Sequence, residues 1–415
     1  MKRYDVLVAG GGFAGCAAAI AAARGGARVL LVERSNCLGG AAANCLVNPY
    51  MGNRTEIDGK PVELSRGIFA EINARLEAAD AKRGGTFSEE MLKIVLSDLL
   101  SGCGVEVLYH ALLTGAACRD GRVESVTVAV KSGQLTLSAD YFIDATGDAD
   151  LLHFAGFPYR LGRESDGLCQ PMTLCFRLSG VDVAAFTQEA RQQMQTLYKA
   201  FRAEGKITNP REDVMLFKTL SDDIIHFNTT RVIRLNPTDP FDLSRAETEA
   251  RRQVWEMYTF LKENVPAFAD SRLLMTAADI GVRESRMADG LYRLTGAELK
   301  TCPRFADGIA FGNYDIDIHN PDGTGTSHYF FGPGEYYAIP YRCLVPKTSV
   351  NSLVAGRCIS VDHEAQASVR IMPIVCCIGE AAGTAAAQAF ARGCSVADVD
   401  TDALRAALRR NGAFC

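Results

Sequence analysis

The sequence has little of what builds metal or nucleic-acid sites. Its 14 cysteines include no C-x-x-C pair, so zinc-ribbon and iron–sulfur ligand spacings are absent. There is no block of basic residues, and 44 basic against 49 acidic side chains give a formal net charge of -5. That balance argues against nucleic acid or an anionic membrane as the main partner. No run of 18 or more apolar residues occurs, so no membrane span is expected. No Ser-His-Asp set stands out among the six histidines, and no internal repeat or low-complexity tract is seen.

What is present is a globular composition, 48% hydrophobic and 22% charged, over 415 residues, too long for one core and suggestive of two domains. Cys376-Cys377 lie in an apolar helical stretch, and most other cysteines sit among apolar neighbours. They read as reduced thiols acting as small hydrophobes, in a chain expected to be cytoplasmic. The glycine-interrupted start leads into a charged strand end rather than a cleavage site, which speaks against a secretory leader.

The informative stretch is Tyr4 to Arg34. A short apolar run, Tyr4 to Ala9, predicts a buried parallel strand. It breaks into Gly10-Gly11-Gly12-Phe13-Ala14-Gly15, which fits G-x-G-x-x-G. An alanine-rich helix follows, and a second apolar strand, Ala27 to Val32, ends on Glu33. Gly10 allows the tight turn, Gly12 lets a pyrophosphate approach the backbone, and Gly15 lets the helix lie close on the strand. The helix N-terminus at Phe13 and Ala14 offers amides to phosphate, and Glu33, followed by Arg34, suits the ribose hydroxyls.

Residues 62–82 and 88–101 then read as helices. A run of strands follows: Val105 to Tyr109, Leu112 to Cys118, Val123 to Lys131 and Gln134 to Leu137, with turns at Asp120-Gly121 and Ser132-Gly133. An apolar strand closes the block into Ala145-Thr146-Gly147-Asp148. A nicotinamide dehydrogenase usually continues with alternating strands and helices; here an antiparallel meander interrupts the parallel unit.

On these motifs the chain resembles FAD-dependent oxidoreductases of the glutathione-reductase-fold, succinate dehydrogenase/fumarate reductase-like group. The further matching motifs are Leu38-Gly39-Gly40, Ile280 to Arg286, Asp317-Ile318-His319, Ile339 to Arg342, Leu353 to Ser360 and Val369 to Pro373. The resemblance implies an α/β fold. A FAD-binding, Rossmann-like domain of the two-dinucleotide-binding type (1–155 and 339–415) would carry an inserted α+β substrate domain (156–338). It implies noncovalent FAD, with Gly39, Gly40, Ala41 and Cys45 passing the flavin. Further cofactor contacts are implied at Leu113, at Ala145, Gly147 and Asp148, and at Gly356 and Arg357. The helix beginning near Pro373 would aim its first-turn amides, around Ile371 and Met372, at the flavin. Its small residues Gly379, Ala382, Gly383 and Ala386 share one face, for close packing on a sheet or the cofactor. No second G-x-G-x-x-G is present, so no separate nicotinamide subdomain is expected.

Within the inserted stretch, polar helices are expected at 182–204 and 244–263, with proline punctuation at Asn236-Pro237, Asp239-Pro240 and Val265-Pro266. Arg283 and Arg286 could share a helix face and grip a carboxylate, or pair internally with Glu284 or Asp279. His319 and His328 flank a glycine-rich loop and are the candidates for proton transfer, with Tyr341 facing the same cleft. His363 could neighbour the flavin, whereas His110, His153 and His226 look structural. Cys45 reads as a packed thiol rather than a redox group or covalent anchor.

The expected function is hydride exchange between flavin and a small organic substrate at a C–OH, C–N or C=C bond. The rival readings are an electron-transfer subunit of a larger complex and a flavoprotein without net redox. Expected partners are a small-molecule substrate and an external electron acceptor or donor, or a second copy of the chain, with neither nucleic acid nor membrane.

Overall fold

The computed structural model of the chain describes residues 3–415. Five parallel strands form the central sheet, in the spatial order Ser352–Val354, Ala139–Asp144, Tyr4–Ala9, Val29–Val32, Glu106–Leu108. The three inner strands are almost continuously apolar and buried, as strands covered on both faces must be. Of the four strands expected in the meander, the first joins the central sheet as Glu106–Leu108, and the other three form an antiparallel sheet of Leu112–Arg119, Arg122–Val130 and Gly133–Leu137, sharing the same core through Val123, Val126 and Val128.

Two helices meet backbone to backbone beside the sheet. Phe13–Arg24 follows the first strand, and Met372–Arg392 returns from the far end of the chain. A Cβ on Gly379 would lie 2.0 Å from the Ala14 carbonyl oxygen, and one on Gly383 would lie 2.0 Å from that of Ala18. The two glycines of the small-residue face therefore pack on a helix, and neither lines the cavity. Met372–Arg392 has the length and apolarity of a membrane-crossing helix, but most of it is buried in this core.

The helix expected over 62–82 is shorter, Ile68–Ala78. Residues before it form a hairpin, Arg54–Ile57 with Lys60–Glu63. Gly67 delays the helix start: it holds φ +61°, and a Cβ there would strike the Glu380 carboxylate, which accepts from the Ile68 amide at 3.0 Å. The next helix, Glu89–Gly102, begins where Ser88 caps it through Met91 N.

Between Met172 and Ile280 the chain builds a second core. An antiparallel sheet orders Leu216–Lys218, Ile225–Phe227, Phe176–Ser179 and Arg272–Thr276. The helices Gln188–Ala203 and Pro240–Asn264 bury Met194, Tyr198, Val254, Met257 and Phe260 in it. The second helix starts four residues before the expected 244. Pro240 occupies its first position, where a missing N–H costs nothing, and the Asp239 carboxylate accepts from the Phe241 and Asp242 amides at 3.0 and 2.9 Å. That proline opens a helix rather than ending one. Met287 to Tyr337 rejoin the first core.

Candidate active site

A cavity of about 780 Å³ lies between the two cores, lined by the fingerprint turn on one side and by residues of the antiparallel sheet on the other. Gly10 turns the chain at φ +98°, and a Cβ there would sit 2.4 Å from the Ala145 carbonyl oxygen. A Cβ on Gly15 would meet Gly10 O at 1.8 Å. Gly15 thus serves helix–strand packing and does not line the cavity. Gly12 is different: its Cβ position is open, with the nearest atom, Gly40 Cα, 3.8 Å away. This is the gap a pyrophosphate needs, and the first helix turn, Phe13 and Ala14, lines it.

Glu33 is buried at the cavity wall, accepting from Gly11 N at 2.6 Å and Ser35 N at 2.8 Å. Arg34, also on the wall, reaches across to Asp279 of the second core at 2.5 Å. Gly39, Gly40 and Ala41 line the cavity, and Gly40, at φ +53°, passes so close to Gly12 that a Cβ would be 2.8 Å from its Cα. Cys45 lines the wall with its thiol facing Ile280 O at 3.6 Å. Burial, and then Asp279, push that thiol up to about 12, so it is a packed thiol and not a thiolate.

Ala145, Gly147, Asp148, Gly356 and Arg357 also line the cavity. Gly147 holds φ +81°, where a Cβ would strike the Arg357 guanidinium, and that guanidinium pairs with Asp148 at 2.5 Å. Ile371 and Met372 bring the start of Met372–Arg392 to the cavity, and no side chain caps that turn. The open Gly12 cradle, the carboxylate of Glu33 and this uncapped helix start together fit a dinucleotide.

Several expected residues lie elsewhere. Leu113 is buried in the antiparallel meander and does not line the cavity. Tyr341 is fully buried, and its hydroxyl donates to Val396 O at 2.8 Å, so it is a core tyrosine and not a catalytic one. The chain after Pro340 turns into a single 3-10 turn that carries it inward. His363 is also off the cavity, with Nδ1 2.8 Å from the buried Glu284 carboxylate. Arg283 and Arg286 share no helix face: the stretch before the strand Arg286–Ala288 is irregular, and Arg286 pairs with Asp150.

The internal ion pair considered for Arg283 is absent, because Glu284 is held by His363 and Asp279 by Arg34. Arg283 Nη1 donates to Pro171 O at 2.7 Å and Thr173 Oγ1 at 2.5 Å, and Nη2 donates to Asn228 Oδ1 at 3.4 Å. These are neutral acceptors. Burial, followed by the guanidiniums of Arg370, Arg211 and Arg231, draws its pKa down to about 9.

The two histidines lie on one hairpin. Ile316–His319 pairs with Thr326–Tyr329 so that Asp317 faces His328 and His319 faces Thr326. Both histidines line the cavity in different states. Arg231 Nη2 approaches His319 Nδ1 at 3.1 Å, and an arginine only donates, so Nδ1 accepts and the proton sits on Nε2. That Nε2 faces Asp317 Oδ2 at 3.4 Å. Burial, then Arg283, keep His319 well below its usual range, so it is a neutral, locked ring. His328 is exposed; its Nδ1 lies 2.7 Å from Asp315 Oδ2 and its Nε2 3.8 Å from Asp317 Oδ1.

Sequence reasoning missed Asp317, Arg370, Tyr314 and Asn228 as cavity groups. Asp317 had a readable signal, since it stands two residues from His319 on a strand and so shares its face. Burial raises the Asp317 carboxyl, but His319, Arg370 and Arg283 outweigh it and hold the group ionised. Asn228 comes from a distant part of the second core and carried no such signal.

The chain is similar in part to several known proteins. The tRNA uridine 5-carboxymethylaminomethyl modification enzyme MnmG of Geobacter metallireducens is 29% identical over 176 residues, 40% of this chain and 28% of that protein. Thiamine thiazole synthase of Aeropyrum pernix is 31% identical over 158 residues, 35% of this chain and 55% of that one. The chain therefore spans about a quarter to a half of the length of these curated relatives. Among solved structures, a geranylgeranyl bacteriochlorophyll reductase-like protein of Thermoplasma acidophilum aligns over 99% of this chain and 83% of that one, at 13% identity and a TM-score of 0.48. A family model described as FAD dependent oxidoreductase matches residues 5–408. The chain belongs to that family of FAD-dependent oxidoreductases, and its cofactor is FAD.

Proposed function

We propose that this enzyme oxidises or reduces a small organic anion, with Arg283 as the anion clamp and His328 as the proton-transfer group. FAD, when bound, supplies two-electron hydride chemistry. The observation that carries the reading is Arg283: a cavity-lining guanidinium whose hydrogen-bond partners are all neutral. Burying a guanidinium is costly and the Asp317 carboxylate offsets that cost only in part; a carboxylate from the substrate lowers it further with bidentate, charge-assisted bonds.

The histidines divide the work. Asp315 fixes His328 Nδ1 and leaves Nε2 toward the cavity, the arrangement of a base oriented by a carboxylate. His319 has no free ring nitrogen: Arg231 occupies one side and Asp317 the other. It positions Asp317 rather than moving the proton. A cavity-lining guanidinium whose hydrogen-bond partners are all neutral favours a substrate-converting enzyme over a subunit that only passes electrons.

The test is anaerobic mixing of the FAD-loaded enzyme with carboxylates and with their neutral amide counterparts, watching the flavin absorbance. Bleaching by a carboxylate but not by its amide supports the reading. Bleaching by the neutral compounds alone, or by external reductants only, overturns it.

A further inference from the structure

Resting on that anion reading, we infer that Gln366 and Gln170 are positioning residues of the site. Through one chain of hydrogen bonds they hold the Arg283 clamp in a fixed place between the start of the helix Met372–Arg392 and the histidine hairpin. Neither glutamine lines the cavity, and each is only 1% exposed.

The chain of bonds runs in one direction. His319 N donates to Gln170 Oε1 at 3.4 Å, Gln170 Nε2 donates to Gln366 Oε1 at 2.9 Å, and Gln366 Nε2 donates to Arg283 O at 2.6 Å. A backbone N–H only donates and a backbone carbonyl only accepts, so the two ends fix the orientation of both amides. Turning either amide over sets oxygen against oxygen at one end and N–H against N–H at the other.

These links join parts that lie far apart along the sequence. Gln366 belongs to the helix His363–Val369, which grips the Arg283–Glu284 dipeptide at two points three residues apart. His363 Nδ1 lies 2.8 Å from the Glu284 carboxylate, and Gln366 holds Arg283 O. The same segment continues through Arg370 and Ile371 into Met372–Arg392, whose start lines the cavity. Gln170 adds a third grip, its backbone N donating to Glu284 Oε2 at 2.8 Å, and the next residue, Pro171, accepts from Arg283 Nη1. The backbone and the guanidinium of the clamp are thus held by the same two segments. A carboxylate bound by one guanidinium is placed only as well as that guanidinium is, and a misplacement of about 1 Å is enough to disable a site.

The experiment titrates the oxidised FAD-loaded enzyme with benzoate, reading the perturbation of the flavin absorbance, with flavin content and melting temperature measured for every variant. Gln366→Met keeps the length of the side chain and removes both of its links, so benzoate should bind about 10-fold more weakly, the worth of a buried hydrogen bond left unmade. Gln170→Met leaves the bond to Arg283 O in place and should weaken benzoate less. Gln366→Glu has a donor for Arg283 O only when its carboxyl is protonated. Its affinity relative to the parent should therefore approach parity as pH falls and drop as pH rises, over a range in which benzoate stays ionised. If Gln366→Met does not retain FAD, Gln170→Met and this pH profile carry the test. A lower melting temperature with unchanged benzoate affinity in the methionine variants makes the glutamines merely structural and sinks the inference, as does a pH-independent ratio for Gln366→Glu. Loss of benzoate binding in Arg283→Ala beside parent-like binding in Gln366→Met also sinks it, while the anion reading stands. Benzoate bound by Arg283→Ala as tightly as by the parent overturns the anion reading and this inference with it, and no perturbation of the parent's flavin counts against both.

Discussion

The two walls of the cavity are made of opposite materials. The cofactor wall is glycine and alanine backbone, where the missing side chain is the functional element: the room at Gly12, the turn at Gly10, the close pass at Gly40. The wall facing it is long charged side chains, where function lies in what each group is paired with and what it is not. A backbone wall fails by being filled; a charged wall fails by being neutralised. The predictions below exploit that contrast.

The largest effect should come from filling the first wall. Gly12→Val places methyl groups where its Cβ position now has nothing nearer than 3.8 Å. Since the space is open, the chain should fold and lose its FAD. Absorbance of the purified protein and reconstitution with added FAD check this, and a yellow variant breaks the contrast.

The next effects belong to the second wall. His328→Ala should slow flavin reduction by roughly 10²–10⁴-fold with flavin content unchanged. His319→Ala should act less on rate and more on the orientation of Asp317. If stopped-flow traces show His319→Ala to be the slower variant, the roles assigned to the two rings are reversed. Arg283→Ala should weaken substrate binding by about 1.5–3 kcal/mol, the worth of a charge-assisted hydrogen bond, and Arg283→Lys should recover little, since an ammonium cannot make the bidentate pair. Normal binding by Arg283→Ala with a lower melting temperature would mark the residue as structural.

Glu380 tests the boundary between the two materials, a carboxylate buried among small residues of the first core. Burial raises its pKa to about 7 from an ordinary 4.5. The folded protein therefore holds a proton that the unfolded chain has released, and stability falls as pH rises from 4.5 through 7. Glu380→Gln should remove that slope, gaining up to about 3 kcal/mol above pH 7 relative to the parent and nothing near pH 4. Thermal melts across that range decide it; a parallel shift at all pH values refutes the titration.

The smallest effect is expected at Cys45→Ala. The thiol is packed against Ile280 O, so FAD should still be released by acid precipitation in both proteins. Colour kept in the parent's pellet and lost in the variant's would make Cys45 an anchor.

This division also explains what the sequence could tell. Gly10, Gly12, Gly15 and Glu33 follow one another along the chain, and a local pattern reveals a wall built locally. The meander after Val105 and the helix stop at Gly393 were legible for the same reason, being set by turns and caps. The charged wall draws on Thr173, Arg211, Asn228, Arg283, Asp317 and Arg370, from both cores, which share no local pattern. Tyr341 illustrates the failure: adjacent in sequence to a cavity-bound segment, it is turned into the core by one 3-10 turn. Arg283 was legible as a cation but not in its partners, because those lie 55 to 112 positions away. The pairing of His328 with Asp317 was hidden behind a hairpin register that the glycine-rich loop left open.

The seam between the helices Phe13–Arg24 and Met372–Arg392 acts as a ruler. One helix begins at the phosphate cradle and the other at the far wall near Ile371, and both starts line the same cavity. Their backbones touch at Ala14–Gly379 and Ala18–Gly383, with no side chain between to be repacked. Neither helix can slide along the other without a collision of backbone atoms, so the spacing between the two ends of the cavity is fixed when the core folds. That spacing is thus set by two glycines, Gly379 and Gly383, that do not line the cavity.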